Sequence, residues 1–257
     1  MPPCPVGMSQ AACDAENMPI VSLLINYFGI NTDDPCVDAQ PFADATTLLS
    51  TNFTFVSAKN SVEAAVLAQG NAVTEHSVTF GKDMNNNINT SPILNTNGSN
   101  SGSVNSSWPG AFADLHNHPN DQPPSPGDLY NLIKVNKRFI GYNTRIVITP
   151  DGSMYALVIT SLSKANTFVN NNPSIDIGFG PDFPDEIFNK FQEVKDAFMQ
   201  QGNSGLYSEE RAMAYVLNKY DTGIALLKQN INGSFKLLKT EENTSNGNTT
   251  YTATTCQ

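Results

Sequence analysis

Apolar and polar residues follow two patterns along the chain, one with the spacing of helices and one with the spacing of strands. Apolar positions that recur at helical spacing predict helices over 19–30, 61–69, 126–137, 165–169, 185–200 and 208–220. Short apolar or alternating runs bounded by turn residues predict strands over 73–81, 111–118, 145–149, 154–160, 223–228 and 234–239. Because helices and strands interleave, the pattern favours a mixed α/β fold around a central sheet.

Two stretches interrupt this pattern. Residues 31–46 combine turn-forming and acidic residues and are predicted to be an irregular connection. Residues 85–107 are dominated by Asn and Ser, so they bury little apolar surface and are predicted to form a long mobile loop. At the predicted helix 61–69, Ser61 is the expected N-cap and Gly70 the expected stop.

The densest group of chemically active residues lies in 112–130, FADLHNHPNDQPPSPGDLY. His116 and His118 are separated by one residue, so on a strand both imidazoles face the same side. Asp128 follows in the first turn of a predicted helix, after a Pro-rich bend that can fold it back beside them. Two His and one Asp form a three-ligand zinc shell that leaves a fourth position for water. The alternative is that Ser125 and Asp128 only cap the helix, which needs no metal.

These residues resemble the JAB1/MPN/Mov34 metalloenzyme (JAMM) motif, in which H-x-H is followed after seven residues by S-x-x-D. The H-N-H-P and S-P-x-D segments are most similar to the RadC-like bacterial branch of the family. The resemblance implies a cytidine-deaminase-like three-layer α-β-α core and zinc-dependent hydrolysis of peptide or isopeptide bonds. It matches His116, His118 and Asp128 to the zinc ligands, and Ser125 to the serine that supports the tetrahedral intermediate. In this chain six residues, rather than seven, separate His118 from Ser125.

The JAMM family also uses an upstream glutamate on a neighbouring strand, and Glu75 in T-E-H-S-V-T-F-G fits that position. The resemblance implies that Glu75 takes a proton from the attacking water and passes it to the leaving amine. A solvated strand residue is the alternative for Glu75, and Glu63 is disfavoured because it lies on a predicted helix. Alternation places His76 on the opposite face, as a surface or packing residue. Asp114 shares the face of the two histidines and is a candidate to orient an imidazole N–H.

Charge and hydropathy exclude two classes of partner. Asp and Glu number 24 against 14 Lys and Arg, a formal net charge of −10, and such a surface repels nucleic-acid phosphates. No apolar run approaches the ~20 residues of a spanning helix. Nucleic acid and a membrane are therefore not expected as partners, and the resemblance to the JAMM family implies a peptide or protein substrate. The chain starts without a signal-peptide pattern, and its composition is also compatible with a module of a longer secreted or cell-surface precursor.

The four cysteines do not have the C-x-x-C spacing of zinc or redox sites. They are Cys4, Cys13, Cys36 and Cys256. Free thiols and a disulfide that joins the two ends of the chain are equally open readings.

The predicted organisation is an N-terminal extension (1–58), a metalloenzyme core (59–170) and C-terminal helices with a terminal hairpin packed on the core (171–257). The Asn/Ser-rich loop of the core joins the Glu75 strand to the histidine strand, so it either gates the cleft or is an inert insertion.

A cytidine deaminase would need P-C-x-x-C, and histidine-rich phosphoesterases would need histidines after His118; the chain has neither. A non-catalytic JAB-like partner-binding module stays open as the second function.

Overall fold

The computed structural model describes residues 34–68, 74–95, 104–105, 108, 110–176, 178 and 180–256. Its helices are α1 (Pro35–Thr51), α2 (Phe53–Ala68), α3 (Pro126–Arg138), α4 (Leu162–Asn171), α5 (Asp185–Gln200) and α6 (Gly205–Lys219). Its strands are β1 (His76–Lys82), β2 (Ile88–Thr90), β3 (Leu94–Asn95), β4 (Ala111–Asn117), β5 (Thr144–Ile148), β6 (Met154–Ile159), β7 (Ile175–Asp176), β8 (Pro181–Asp182), β9 (Ile224–Gln229), β10 (Phe235–Ser245) and β11 (Asn248–Thr255). The predicted mixed α/β class is confirmed.

One large sheet organises the fold. Its strand order is β11-β10-β9-β6-β5-β4-β1-β2, and β3 also pairs with β1. Strands β4 and β5 run parallel, whereas β1 runs antiparallel to β4. The carboxyl ends of β4 and β5 therefore lie at the same edge of the sheet as the amino end of β1. The sequence-predicted site residues come from this edge.

Helices cover both faces of the sheet. On one face, α1 and α2 bury apolar side chains such as Phe42 and Phe55 against alternate strand residues. On the other face, α3 to α6 form a second core that includes Leu129, Phe198 and Tyr215. Full burial of side chains of this size contributes about 1.5–3 kcal/mol each, so the two cores hold the sheet between its helices. Among the described residues, no helix combines the length and apolar character needed to span a membrane.

The local signals around the site form the elements that they predict. Strand β4 covers seven of the residues predicted as a strand, and all seven are buried. Helix α3 begins at Pro126 with Ser125 as its N-cap. Strands β5 and β6 pair as an antiparallel hairpin, and Gly152 in the turn between them has a positive φ of 82°, which glycine adopts without steric penalty.

The prediction of an irregular connection over 31–46 is wrong from Pro35 onward, where α1 begins. Asp34 caps this helix through its carboxylate, and Pro35 occupies the first helical position. Pro41 lies inside the helix, where a proline disfavours the helix by about 3 kcal/mol because it lacks an N–H and its ring clashes with the preceding turn. Burial of the apolar face of α1 against the sheet offsets that penalty.

The predicted helix 61–69 starts too late. Helix α2 begins at Phe53, so Ser61 lies in its interior, where the hydroxyl donates to the Ser57 carbonyl at 2.9 Å instead of capping. Gly70 and the predicted helix over 19–30 lie outside the described residues.

Strands form within the segment predicted to be a mobile loop and in the C-terminal tail, which the sequence pattern assigns to no element. Within 85–107, β2 and β3 pair with β1. The Asp83 carboxylate accepts the backbone N–H groups of Asn85 and Asn87 and closes the tight turn between β1 and β2. The Thr-rich tail forms β11, which pairs with β10 along its whole length. The turn between β10 and β11 is Asn246–Gly247, with both residues at positive φ, the arrangement that favours a two-residue hairpin.

The C-terminal segment continues the sheet. Strand β9 pairs with β6, and β10 pairs with β9. Near the start of β10, the Phe235 N–H donates to the Thr47 hydroxyl of α1 at 2.9 Å. Described residues from all three predicted divisions therefore contact one another, and the boundaries at 58 and 170 stay a prediction.

A disulfide joins the start of α1 to the residue after β11. It links Cys36 to Cys256, with Cα atoms 5.5 Å apart and a sequence separation of 220. Of the two open readings, the disulfide is therefore correct for this pair. Cys4 and Cys13 lie outside the described residues.

We expect the double substitution of Cys36→Ser and Cys256→Ser to lower the free energy of unfolding by about 2–5 kcal/mol, because the bridge closes a long loop and restricts the unfolded chain. Urea denaturation of the variant beside the oxidised wild type measures the effect. Coincident unfolding midpoints would contradict a stabilising bridge.

Candidate metal centre

Strand β4 and the residue that follows it present two imidazoles on one side of the sheet. His116 pairs with Val147 of β5, and the His118 N–H donates to the Ile148 carbonyl at 2.9 Å. The backbone therefore stays extended beyond the last residue of β4, which keeps the i and i+2 side chains on the same face. Both histidines are buried.

The chain then bends and brings the first turn of α3 back to these imidazoles. Asp128 Oδ1 lies 3.2 Å from His116 Nε2, and Asp128 Oδ2 lies 3.2 Å from His118 Nε2. The two Nε2 atoms are 3.3 Å apart. All three side chains are buried and form a group able to hold a metal ion. The predicted convergence of two imidazoles and one carboxylate is thus observed.

These separations match the spacing of ligand atoms around a tetrahedral metal ion. Two atoms that each lie about 2.0–2.1 Å from a tetrahedral zinc ion are separated by about 3.3 Å. The distances between the imidazole nitrogens, and from each of them to an oxygen of Asp128, are all of this size. Each imidazole faces a different oxygen of Asp128, and one ligand atom from each of the three residues lies within 4.8 Å of the other two, close enough to share one ion.

The hydrogen-bond partner of Nδ1 in each ring indicates which of the two ring nitrogens carries the proton. His118 Nδ1 lies 2.9 Å from the Gln122 carbonyl oxygen, which only accepts hydrogen bonds. His116 Nδ1 lies 3.1 Å from Asp114 Oδ1, also an acceptor. With Nδ1 donating in both rings, each neutral imidazole directs its Nε2 lone pair toward Asp128. With both Nε2 atoms unprotonated, three buried acceptors would face one another, an arrangement that favours a cation among them.

The pKa values of the group reflect the same preference for a cation among the three side chains. Burial disfavours the charged imidazole, but the Asp128 and Asp114 carboxylates outweigh it and raise the pKa of His116 to about 10. Burial likewise disfavours ionised Asp128, yet His116 and His118 hold the pKa of its carboxyl well below the usual range. In the metal-free protein at neutral pH a proton is therefore the cation, and a metal must displace it to bind.

Asp114 orients His116, as its position on β4 predicted, and two partners that sequence reasoning missed hold Asp114 in turn. The Tyr142 hydroxyl donates to Asp114 Oδ2 at 2.5 Å, and Arg145 Nε donates to the same oxygen at 3.0 Å. Burial disfavours the charged carboxylate of Asp114, but Arg145 and His116 keep its pKa below the usual value. Nothing local in the sequence links Tyr142 or Arg145 to the motif; only the pairing of β5 with β4 brings them there.

Ser125 caps α3 and also holds the Asp128 carboxylate, so it agrees with both the helix-cap and the metal-site interpretations of the sequence. Its hydroxyl and backbone N–H donate to Asp128 Oδ2 at 2.7 and 2.8 Å, and the Asp128 N–H donates back to the hydroxyl at 3.2 Å. This is a complete capping box. The same contacts hold the Asp128 carboxylate toward the imidazoles, so the helix cap and the placement of Asp128 are one arrangement.

We expect Ser125→Ala to lower stability by about 1 kcal/mol through loss of the cap, and to weaken the binding of a metal ion, tested with zinc, about 10-fold or more because Asp128 loses its support. Ser204→Ala is the matched control, since Ser204 caps α6 in the same way, away from the group. Urea denaturation and zinc titration of both variants separate the two effects. Equal zinc affinities in the two variants would contradict a role for Ser125 in placing Asp128.

Glu75 lies one residue before β1, at the same edge of the sheet. Ser77 pairs with His116, and alternation places Glu75 on the same face as Ser77, level with His118 by extension of that register. The Asn117 side chain holds the segment in place, because it accepts the His76 N–H at 2.7 Å and donates to the Thr74 carbonyl at 3.1 Å. Glu75 is only 6% exposed, so the solvated alternative is wrong.

Glu63 and His76 lie away from the three converging side chains. Glu63 pairs with Lys59 at 2.6 Å on α2, the helix that covers the opposite face of the sheet. His76 is buried and places Nδ1 2.6 Å from Asn95 Oδ1, so it is a packing residue and not a surface one. Neither belongs to the group of three.

Comparison of the chain with protein-family models, with curated proteins and with solved structures finds no match. The fold and the geometry of the group are therefore the evidence on which a function rests.

Proposed function

We propose that this protein is a zinc-dependent hydrolase of peptide or isopeptide bonds, with a JAB/MPN-like active site at the carboxyl end of β4. The observation that carries the proposal is the convergence of His116, His118 and Asp128 as three buried acceptors at the ligand spacing of a tetrahedral ion. These are the residues that the JAMM-like motif matches to metal ligands. The arrangement of helices on both faces of the sheet supports a cytidine-deaminase-like core as part of the same proposal.

Zinc is the proposed ion because two imidazole nitrogens and one carboxylate oxygen form its typical three-protein-ligand site. When bound, zinc would lower the pKa of a coordinated water and polarise the substrate carbonyl. Three protein ligands leave a position open, as catalytic zinc sites do.

Glu75 is the proposed general base and acid. It reaches the same edge and face as the histidines, from the strand that neighbours β4. Its carboxylate would take a proton from the attacking water and deliver it to the leaving amine, so that the amine departs as a neutral group. The polar contacts of Asn117 with both sides of Glu75 would hold that carboxylate at the site.

Ser125 is the proposed support for the oxyanion that develops on the substrate carbonyl. Its hydroxyl donates to Asp128 in this structure, so the role requires the O–H to rotate from the carboxylate toward the substrate. Its position at the N-terminus of α3 adds the positive end of the helix dipole, which favours negative charge there.

A peptide-library assay tests the proposal. The protein is treated with a chelator, reloaded with zinc, and incubated with linear peptides and with peptides carrying a Lys side-chain amide. We expect new amine termini, detected by mass spectrometry, that need zinc and disappear when the chelator returns. A fully zinc-loaded protein that cleaves none of these amides would contradict the hydrolase assignment.

A further inference from the structure

The carboxylate of Asp114 is 0% exposed and is surrounded by three donors. Its Oδ1 faces His116 Nδ1, and its Oδ2 accepts from the Tyr142 hydroxyl and from Arg145 Nε. A buried carboxylate is stable only when paired and hydrogen-bonded. With these three donors, Asp114 is held in one orientation and presents Oδ1 to the imidazole.

Arg145 also contacts the ligand carboxylate directly. Its Nη1 lies 3.6 Å from Asp128 Oδ1 and 3.4 Å from the Asp128 backbone carbonyl. One guanidinium therefore joins β5, which carries Arg145, to β4 through Asp114 and to the first turn of α3 through Asp128. These last two elements hold the ligands of the proposed metal.

We propose that Asp114, Tyr142 and Arg145 are positioning residues that assemble the metal site before the ion arrives. Asp114 holds His116 in the tautomer that directs Nε2 to the ion, Tyr142 holds Asp114, and Arg145 sets the distance between Asp114 and Asp128. The inference rests on the proposed metal centre and goes beyond it, because it makes the metal affinity depend on residues that contact neither the metal nor the substrate.

The charges of Asp114 and Arg145 also indicate that these residues position the ligands and do not attract the ion themselves. The buried charges of Asp114 and Arg145 cancel, so this pair adds no net negative charge to attract a cation. Its effect on a metal must act through the orientation of His116 and Asp128. Contacts of this kind, which hold metal ligands from behind, typically change metal affinity or activity about 10–100-fold when removed.

Tyr142→Phe tests the inference because it removes one hydroxyl and leaves every proposed ligand in place. The matched control is Tyr155→Phe, since the buried Tyr155 hydroxyl also donates to a buried carboxylate, Glu210 Oε2, at 2.7 Å. Both variants lose one tyrosine–carboxylate hydrogen bond, but Glu210 is not part of the group of three. Zinc affinity is measured by competition with a chromophoric chelator, and ligand geometry by the visible absorption of the cobalt-substituted protein.

We expect Tyr142→Phe to weaken zinc binding about 10-fold or more and to shift the cobalt bands, while Tyr155→Phe keeps the zinc affinity and the spectrum of the wild type. Arg145→Lys, which keeps the charge but cannot bridge both carboxylates, is expected to show the same loss and decides the question if Tyr142→Phe does not fold. Wild-type zinc affinity and cobalt spectrum in the folded variants would overturn this inference alone. A wild-type protein that takes up no zinc would overturn the metal centre and this inference with it.

Discussion

His116→Ala is expected to abolish zinc binding. The change removes one of three ligand atoms that lie within 4.8 Å of one another, and the two that remain cannot enclose the ion. We expect the chelator-treated wild type to take up one zinc ion per chain and the variant to take up none at the same free zinc concentration. Zinc should also raise the melting temperature of the wild type only. A free zinc concentration of 1,000 times the Kd stabilises the folded state by about 4 kcal/mol.

The third histidine of the chain provides the matched control. His76 is buried, as His116 is, but it lies on the opposite side of β1 from the site face and contacts Asn95. His76→Ala should therefore keep full zinc uptake even if it is less stable. Zinc retained by His116→Ala, or lost equally in both variants, would contradict the assignment of the ligands.

Glu75→Gln is expected to keep zinc and lose turnover by about 100-fold or more, within the usual contribution of a general acid–base residue. Glutamine keeps the size and hydrogen-bonding capacity of the side chain but cannot accept and release a proton at neutral pH. The measurement is the initial rate of cleavage of a peptide found in the library screen, together with zinc content by metal analysis.

Glu63→Gln is the control for this result, because Glu63 lies on α2, away from the site, in an ion pair with Lys59. We expect its cleavage rate to equal that of the wild type. An unchanged rate for Glu75→Gln at full zinc loading would remove Glu75 from the mechanism.

The ligand set was predictable because its determinants are local. A spacing of two on a strand places His116 and His118 on one face, and the Ser-Pro-x-Asp signal starts a helix at a known distance from them. The bend between them holds the second imidazole itself, since the Gln122 carbonyl accepts from His118 Nδ1. The bend between His118 and Ser125 is one residue shorter than in the JAMM motif. It still brings Asp128 to both imidazoles.

The supporting network was not predictable because its determinants are long-range. Tyr142 and Arg145 lie 28 and 31 residues from Asp114 in sequence, and their approach depends on the parallel register of β5 against β4. No periodicity within either segment encodes that register.

Long-range packing also explains the elements that were missed. Helix α1 contains Pro41, which disfavours a helix locally, and forms because its apolar side packs on the sheet. Strand β11 is polar and is stabilised by pairing with β10 across the Asn246–Gly247 turn. In both cases the deciding interaction comes from outside the segment.

Anomalous diffraction at the zinc absorption edge, from crystals of the wild-type protein soaked in zinc, tests the central claim most directly. We expect one strong peak at about 2.0–2.2 Å from His116 Nε2, His118 Nε2 and a carboxylate oxygen of Asp128. A map with no peak among these three side chains would contradict the metal centre and the hydrolase proposed from it.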